Sequence, residues 1–219
     1  LILSIFDEYA PFVQDFIYRN GWDELRPIQV AAGDAIFHTD DNLLLTASTA
    51  SGKTEAAFFP ILSLFDANPP KSVGCIYIGP LKALINDQFQ RLTDLCSDGN
   101  IPIWHWHGDV SQSHKAKLMR HPSGILQLTP ESLEAILLHK HMAVPRLFGI
   151  CALLSLMRSI PCCAVTGADR PCALSSESAA LLASIPAALG LSATMGDPER
   201  TGAFLSLGTG RRTIIPRIQ

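Results

Sequence analysis

Ala47-Ser48-Thr49-Ala50-Ser51-Gly52-Lys53-Thr54 is the stretch that decides the fold of this chain. It follows the apolar run Leu43-Leu44-Leu45 and opens a segment, about Lys53 to Phe65, that reads as a helix. A loop of small residues between a buried strand and a helix, closing on Gly-Lys-Thr, is the arrangement that holds phosphate. Backbone N–H groups of Ala50, Ser51 and Gly52 would cradle the β-phosphate, helped by the positive end of the helix dipole. Gly52 is required because a side chain there would block close approach. Lys53 would reach the β- and γ-phosphates, and the Thr54 hydroxyl would bind Mg²⁺. ATP and Mg²⁺ are therefore the expected cofactors, with Lys53 and Thr54 as catalytic residues and Thr54 as the metal ligand. The bland alternative is a Ser/Thr-rich loop that only caps a helix.

On either side of this loop, short apolar runs alternate with amphipathic segments. Strands are predicted over Val73 to Ile78, Ile101 to Trp106 and Gly124 to Leu128. Helices are predicted through Leu84, Gln88 and Leu92, near His114 to Met119, and through Leu133, Ile136 and Leu137. Such alternation predicts an α/β fold, a parallel sheet with helices on both faces, whose ligands bind at the carboxyl ends of the strands. Between about Cys151 and Leu189 no helix or strand period emerges, and Ala, Ser, Pro and Cys are in excess. A strand end at Leu191-Ser192-Ala193-Thr194 and a helix over Pro198 to Leu207 follow.

Composition narrows the class. The chain has 219 residues, 47% hydrophobic and 17% charged, enough for one domain with a substantial core. The net charge of −3 gives no general attraction to polyanions, so any nucleic acid must meet a local surface. No signal peptide and no uncharged apolar run of membrane-spanning length is present, so no membrane partner is expected. The six Cys show no Cys-x-x-Cys spacing, which supports neither a zinc site nor a disulfide scaffold and predicts a reduced, cytoplasmic protein. The chain opens on Leu1 rather than Met, as a fragment or processed chain would.

Beyond the phosphate loop, several further elements carry a resemblance. Arg26-Pro27-Ile28-Gln29 lies upstream, Pro80-Leu81-Lys82-Ala83-Leu84 ends the second strand, and His107-Gly108-Asp109 follows the third. Thr129-Pro130-Glu131-Ser132 follows the fourth, and Ser192-Ala193-Thr194 sits within Gly-Leu-Ser-Ala-Thr-Met-Gly-Asp-Pro-Glu, residues 190–199. Together they resemble the first RecA-like domain of superfamily 2 helicases of the DEAD/DExH kind, nearest to Lhr-like enzymes, and Ala47 at the first loop position is common in that version. The resemblance runs from Phe12 to about Leu207, outside the irregular segment. It implies an ATP-dependent DNA or RNA helicase or translocase, with residues 1–40 a helical segment and 41–219 the RecA-like P-loop domain. A second RecA-like domain, with its arginine finger, would be a partner lying outside this chain.

The resemblance also implies roles. Gln29 would read adenine's edge, since an amide both gives and takes a hydrogen bond, and Phe12 would stack on the base or else serve as a core side chain. Pro80 and Lys82, Gly108, and Thr129 with Pro130 would line the nucleic-acid path, with Thr129 also a plausible N-cap. Ser192 and Thr194 would couple that path to the ATP site. Trp104 and Trp106, alternating with His105 and His107, read mainly as packing.

One element of the family is missing. The strand before Ser192 should end in Asp-Glu-x-His, whose Asp holds Mg²⁺ and whose Glu orients the attacking water. This chain has Leu153-Leu154-Ser155-Leu156-Met157-Arg158-Ser159-Ile160-Pro161 there instead. Met157 is encoded by ATG alone. Read one base earlier, a Leu156 codon ending in G gives GAT, Asp, and the final G of Met157 with an AG-type Arg158 codon gives Glu. Continuing, Leu153 to Pro161 permits Ile-Val-Ala-Asp-Glu-Val-His-Ser, and Ala187 to Gly190 permits Arg-Ile-Gly. The expectation is that roughly residues 152–189 are translated one base out of frame; a divergent insertion is the rival. As written, the chain is expected to hydrolyse ATP poorly. A nucleotide-dependent binding module without turnover, and a non-helicase P-loop NTPase such as a nucleotide kinase, remain the alternatives.

Overall fold

The computed structural model describes residues 4–47, 51–78, 92–148, 153–158, 188–192, 197–206 and 210–216. Three helices come first: α1 (Ile5–Glu8), α2 (Pro11–Arg19) and α3 (Pro27–His38). Strand β1 (Asn42–Thr46) then leads through the phosphate loop into α4 (Lys53–Ala67). Next come β2 (Cys75–Ile78), a helix described over 92–98 (α5), β3 (Ile103–Trp106) and α6 (Gln112–Arg120). Strand β4 (Ile125–Leu128), α7 (Pro130–His139), a 3₁₀ turn (His141–Ala143) and α8 (Val144–Phe148) follow. The described chain finishes with β5 (Leu153–Arg158), β6 (Ala188–Ser192), α9 (Pro198–Ser206) and β7 (Thr213–Ile214).

The seven strands form one sheet in the order β3-β4-β2-β5-β6-β1-β7, and every described pairing is parallel. Parallel strands covered on both faces read as continuous apolar runs, as β1 (Asn-Leu-Leu-Leu-Thr) and β2 (Cys-Ile-Tyr-Ile) do. One core cluster joins Leu43, Leu45, Tyr77 and Ile125 to α2, α3 and α4. The 1–40 segment thus shares the core of the sheet domain, through Val13, Ile17, Ile28 and Ala32. The other cluster holds Trp104, Trp106, Leu126 and Leu128 under α6 and α7, so both tryptophans pack, as expected.

Asn42 anchors the start of β1. It is fully buried, accepts from the Ala188 N–H through Oδ1 (2.9 Å), and donates through Nδ2 to the Leu205 carbonyl (3.0 Å). Its backbone N–H bonds the Arg212 carbonyl, so one side chain and its own peptide tie β6, α9 and the β7 approach together. A buried amide with both ends satisfied specifies register rather than merely adding stability.

Two strands are not legible from periodicity, β7 and β5, the second placed at Leu153 onward by the resemblance alone. Although no period is legible after Cys151, Leu153–Arg158 pairs with β2 on one side and β6 on the other. A central parallel strand needs no alternation, which explains why periodicity missed it. Its pairing with β6 is irregular, with a register shift between Ser155 and Arg158.

Gly124, just before β4, has φ +63°, and a Cβ there would collide with the Pro102 carbonyl oxygen. That oxygen accepts the Ile125 N–H that starts the strand. Gly124→Ala should therefore cost about 2–4 kcal/mol and lower the thermal midpoint by roughly 5–15 °C. A variant melting with the parent would contradict this account of the turn.

Candidate functional site: a nucleotide cradle at the strand ends

The site begins with backbone geometry. The last residue of β1, Thr46, pairs in register with Ser192 of β6, so the chain leaves both strands at one edge of the sheet. From β1 it enters the phosphate loop, of which Ala47 and Ser51 to Thr54 are described; Ala50 lies outside the described residues. Gly52 caps α4 in the left-handed region at φ +82°. A side chain at that φ is strained, so glycine is what lets the loop turn into the helix.

Lys53 is buried at 7% exposure, and its ammonium donates to the Ala47 carbonyl at 2.6 Å and to Ser51 Oγ at 3.3 Å. The cation is thereby held at the mouth of the loop rather than extended into solvent. Thr54 follows in the first turn of α4, half-buried.

The element upstream converges on the same glycine. Pro27 at the first turn of α3 fits a position whose N–H lacks a helical partner. The Gln29 side chain folds back, and its Oε1 accepts the Arg26 N–H at 2.9 Å. This leaves Nε2, buried and without a hydrogen-bond partner among the described residues, 3.2 Å from where a Cβ on Gly52 would stand. A buried donor left unmet is costly unless a ligand meets it. Arg26 arrives beside it, its Cδ and Nη1 3.4 and 3.6 Å from the same point. Arg26 is the residue the sequence reading passed over. The signal was the i, i+3 spacing to Gln29, which puts both side chains on one side of a helix start.

The Phe12 ring lies 2.7 Å from where a Cβ on Gly99 would stand, at the turn before β3, and packs against the core. Its helix, α2, is tied to α4 where the Ala10 N–H donates to Ser63 Oγ. These contacts favour the core role of its two readings.

The remaining residues of interest line the carboxyl edge of β3 and β4. Gly108 is exposed just after β3. Thr129 is buried and caps α7, its Oγ1 accepting the Ser132 N–H at 3.3 Å, and Pro130 is the first residue of that helix. The capping role is therefore occupied; a backbone contact by this loop is compatible with it. Ser192 ends β6, while Pro80, Lys82 and Thr194 lie outside the described residues. His105 and His107 lie on β3 and just beyond it, with His107 Nδ1 3.8 Å from Asp109. Burial, and then the neighbouring His107 and His114, hold the His105 pKa below its ordinary value, which favours its neutral ring.

At the carboxyl end of central β5 stand Met157 and Arg158, the latter paired with Leu191. Among the described residues no group of three or more His, Cys, Asp or Glu could hold a metal ion. No described helix is long and apolar enough to cross a membrane.

This geometry has known counterparts. The model of the DEAD/DEAH box helicase family matches residues 26–153. The ATP-dependent helicase Lhr-Core of Methanothermobacter thermautotrophicus is 33% identical over 143 residues, which cover 58% of this chain and 16% of that protein. Activating signal cointegrator 1 complex subunit 3 of Danio rerio is 44% identical over 64 residues, 29% of this chain and 4% of that protein. The chain thus spans less than a fifth of the length of these relatives. Among solved structures, Mycobacterium smegmatis helicase Lhr bound to ssDNA and AMP-PNP superposes with a TM-score of 0.77 at 23% identity, over 98% of this chain and 28% of that one. The DUF1998 helicase MrfA bound to DNA and AMPPNP gives 0.75 at 22% identity, over 96% and 29%. These likenesses give the fold, a RecA-like parallel α/β domain, and the family match extends over more than half of the sequence: the chain belongs to the DEAD/DEAH box helicases.

Proposed function

We propose that this chain is the ATP-binding first RecA-like domain of an ATP-dependent DNA or RNA helicase or translocase. The observation that carries the reading is the meeting of Gln29 Nε2, unpartnered among the described residues, and Arg26 at Gly52, with the Lys53 ammonium held across the loop by Ala47 and Ser51. The residues fit Mg·ATP: an orphaned amide donor for a base edge, a glycine cradle that a Cβ would fill, and a buried lysine beside it. Bound there, Mg·ATP supplies the phosphoanhydride whose hydrolysis drives strand movement. Gln29 reads the adenine edge, Lys53 exchanges the Ala47 carbonyl for phosphate oxygens, and the Thr54 hydroxyl takes the Mg²⁺. Gly108, Thr129 and Pro130 lie where a strand's backbone would run. The register pairing of Thr46 with Ser192 supports a coupling role for Ser192 and Thr194, since β1 leads from there into the phosphate loop.

Turnover is a separate matter. The position that requires carboxylates is the carboxyl end of β5, and it carries Met157-Arg158. The family match ends at Leu153, the first residue of β5, which supports a reading-frame break just there. The parent protein is then a competent ATPase, and the chain as written is a nucleotide binder. That second reading, a binding module without turnover, is favoured by Met157-Arg158 if the bases are as reported. Resequencing codons 150 to 192 decides between a restored Asp-Glu-Val-His and a lost motif.

The nucleotide reading has its own test. ATP should bind more tightly than GTP, and Gln29→Ala should narrow that preference by about tenfold, the worth of one hydrogen bond to a buried partner. Equal affinity for both nucleotides in the parent chain would overturn the base-reading role of Gln29.

A further inference from the structure

The chain is acidic overall, at −3, yet one surface is not. Helix α6 reads Gln-Ser-His-Lys-Ala-Lys-Leu-Met-Arg and contains no carboxylate. Lys117 and Arg120 are exposed on it, and Lys115 is half-buried. Arg146 of α8 joins its carboxyl end, donating through Nη2 to the Arg120 carbonyl at 2.7 Å. Two of these cations are also positioned. The Lys115 ammonium lies 5.7 Å from the Trp106 ring centroid, and that of Lys117 lies 6.0 Å from Trp104. A lysine whose stem already rests on an indole face has less rotamer freedom left to lose when it meets an anion.

The placement of this surface matters as much as its charge. Strand β3 is the edge of the sheet, and α6 starts just beyond Gly108 at the carboxyl edge, where the nucleic-acid path is placed. It returns toward the amino edge, where Gly124 meets Pro102. Nine residues of helix span roughly 13 Å, long enough for a short stretch of strand backbone to lie along it. The nearest carboxylates along the chain, Asp109, Glu131 and Glu134, lie outside α6, and Asp109 faces His107.

We propose that Lys117 and Arg120, three residues apart on one side of α6 and extended by Arg146, form a phosphate-binding patch on the β3 edge, open to a strand that has crossed the Gly108 and Thr129 loops. The inference rests on the reading of the chain as a nucleic-acid-binding domain. Its partner is the sugar–phosphate backbone of a single strand, held without reading the bases.

The test is the salt dependence of binding, measured by fluorescence anisotropy with DNA and RNA strands of about 20 nucleotides between about 50 and 200 mM salt. Lys117→Gln/Arg120→Gln/Arg146→Gln should reduce the slope of log K against log salt by about two, and weaken binding about a hundredfold near 0.1 M. The shift should be the same on DNA and RNA, because phosphate is common to both. Lys71→Gln/Arg200→Gln/Arg212→Gln removes the same charge elsewhere and should leave the slope unchanged; thermal melts of both variants report folding. If the parent chain binds and the two triple variants behave alike, the α6 patch is overturned and the nucleic-acid reading stands. If the parent chain binds neither strand, both fall.

Discussion

Replacing residues 152–189 by the same segment read one base earlier should turn a nucleotide binder into an ATPase. The expected gain in turnover is at least about a hundredfold, the low end of what a positioned acid or base contributes. The reasoning is positional. Strand β5 lies between β2 and β6, and β6 in turn lies beside β1, so its carboxyl end opens onto the same edge as the phosphate loop. A carboxylate there would stand across from Thr54 and complete a Mg²⁺ site; the residues present are Met157 and Arg158. The measurement is phosphate release by the parent and reframed chains, with and without a nucleic-acid strand. A reframed chain that folds, binds ATP and still shows no turnover would remove the frame explanation. Substituting Ala for the restored Glu in that chain should return it to the parent's level.

The second large effect concerns Lys53. Lys53→Met keeps most of the buried stem while deleting the ammonium, and should weaken binding of a non-hydrolysable ATP analogue by about ten- to a hundredfold. That range follows from losing one or more charge-assisted hydrogen bonds, worth about 1.5–3 kcal/mol each. The buried ammonium donates to the Ala47 carbonyl and Ser51 Oγ, so the loop itself has a stake in the residue. Thermal melts without nucleotide separate the two contributions: a drop there measures the loop, and the further loss in analogue affinity measures the phosphate. Unchanged affinity in a folded variant would place the nucleotide elsewhere.

Much of this molecule was legible before any coordinates. The alternation of apolar runs with amphipathic segments led to β1 through β4 and to α4, α6 and α7, with ends displaced by one or two residues because capping and fraying are local; Leu84 and Gln88 of the helix expected after β2 lie outside the described residues. Lys53, Thr54, Gly52 and Gln29 were nominated because phosphate and adenine chemistry needs those groups in that spacing. Other features were not legible. Strand β5 has no period because a central parallel strand needs none. Phe12 was open between two roles because an aromatic near a helix start fits a base or a core equally well until its neighbours are known, and Gly99 is its neighbour. Arg26 was read only as part of a motif, although its side chain reaches Gly52.

Sequence by itself determined the loop chemistry and the family, because phosphate binding depends on a contiguous stretch whose residues act through their own backbone. It also determined that the carboxylates are missing, since their absence is a matter of letters. Only the tertiary structure decided which distant residues share a site. Gln29 meets Gly52 across α3 and the loop, Thr46 meets Ser192 across a crossover, and the α6 lysines find Trp104 and Trp106 on the edge strand. Those meetings depend on strand order and helix direction, which arise from the packing of the whole sheet and leave no mark at any single position in the chain.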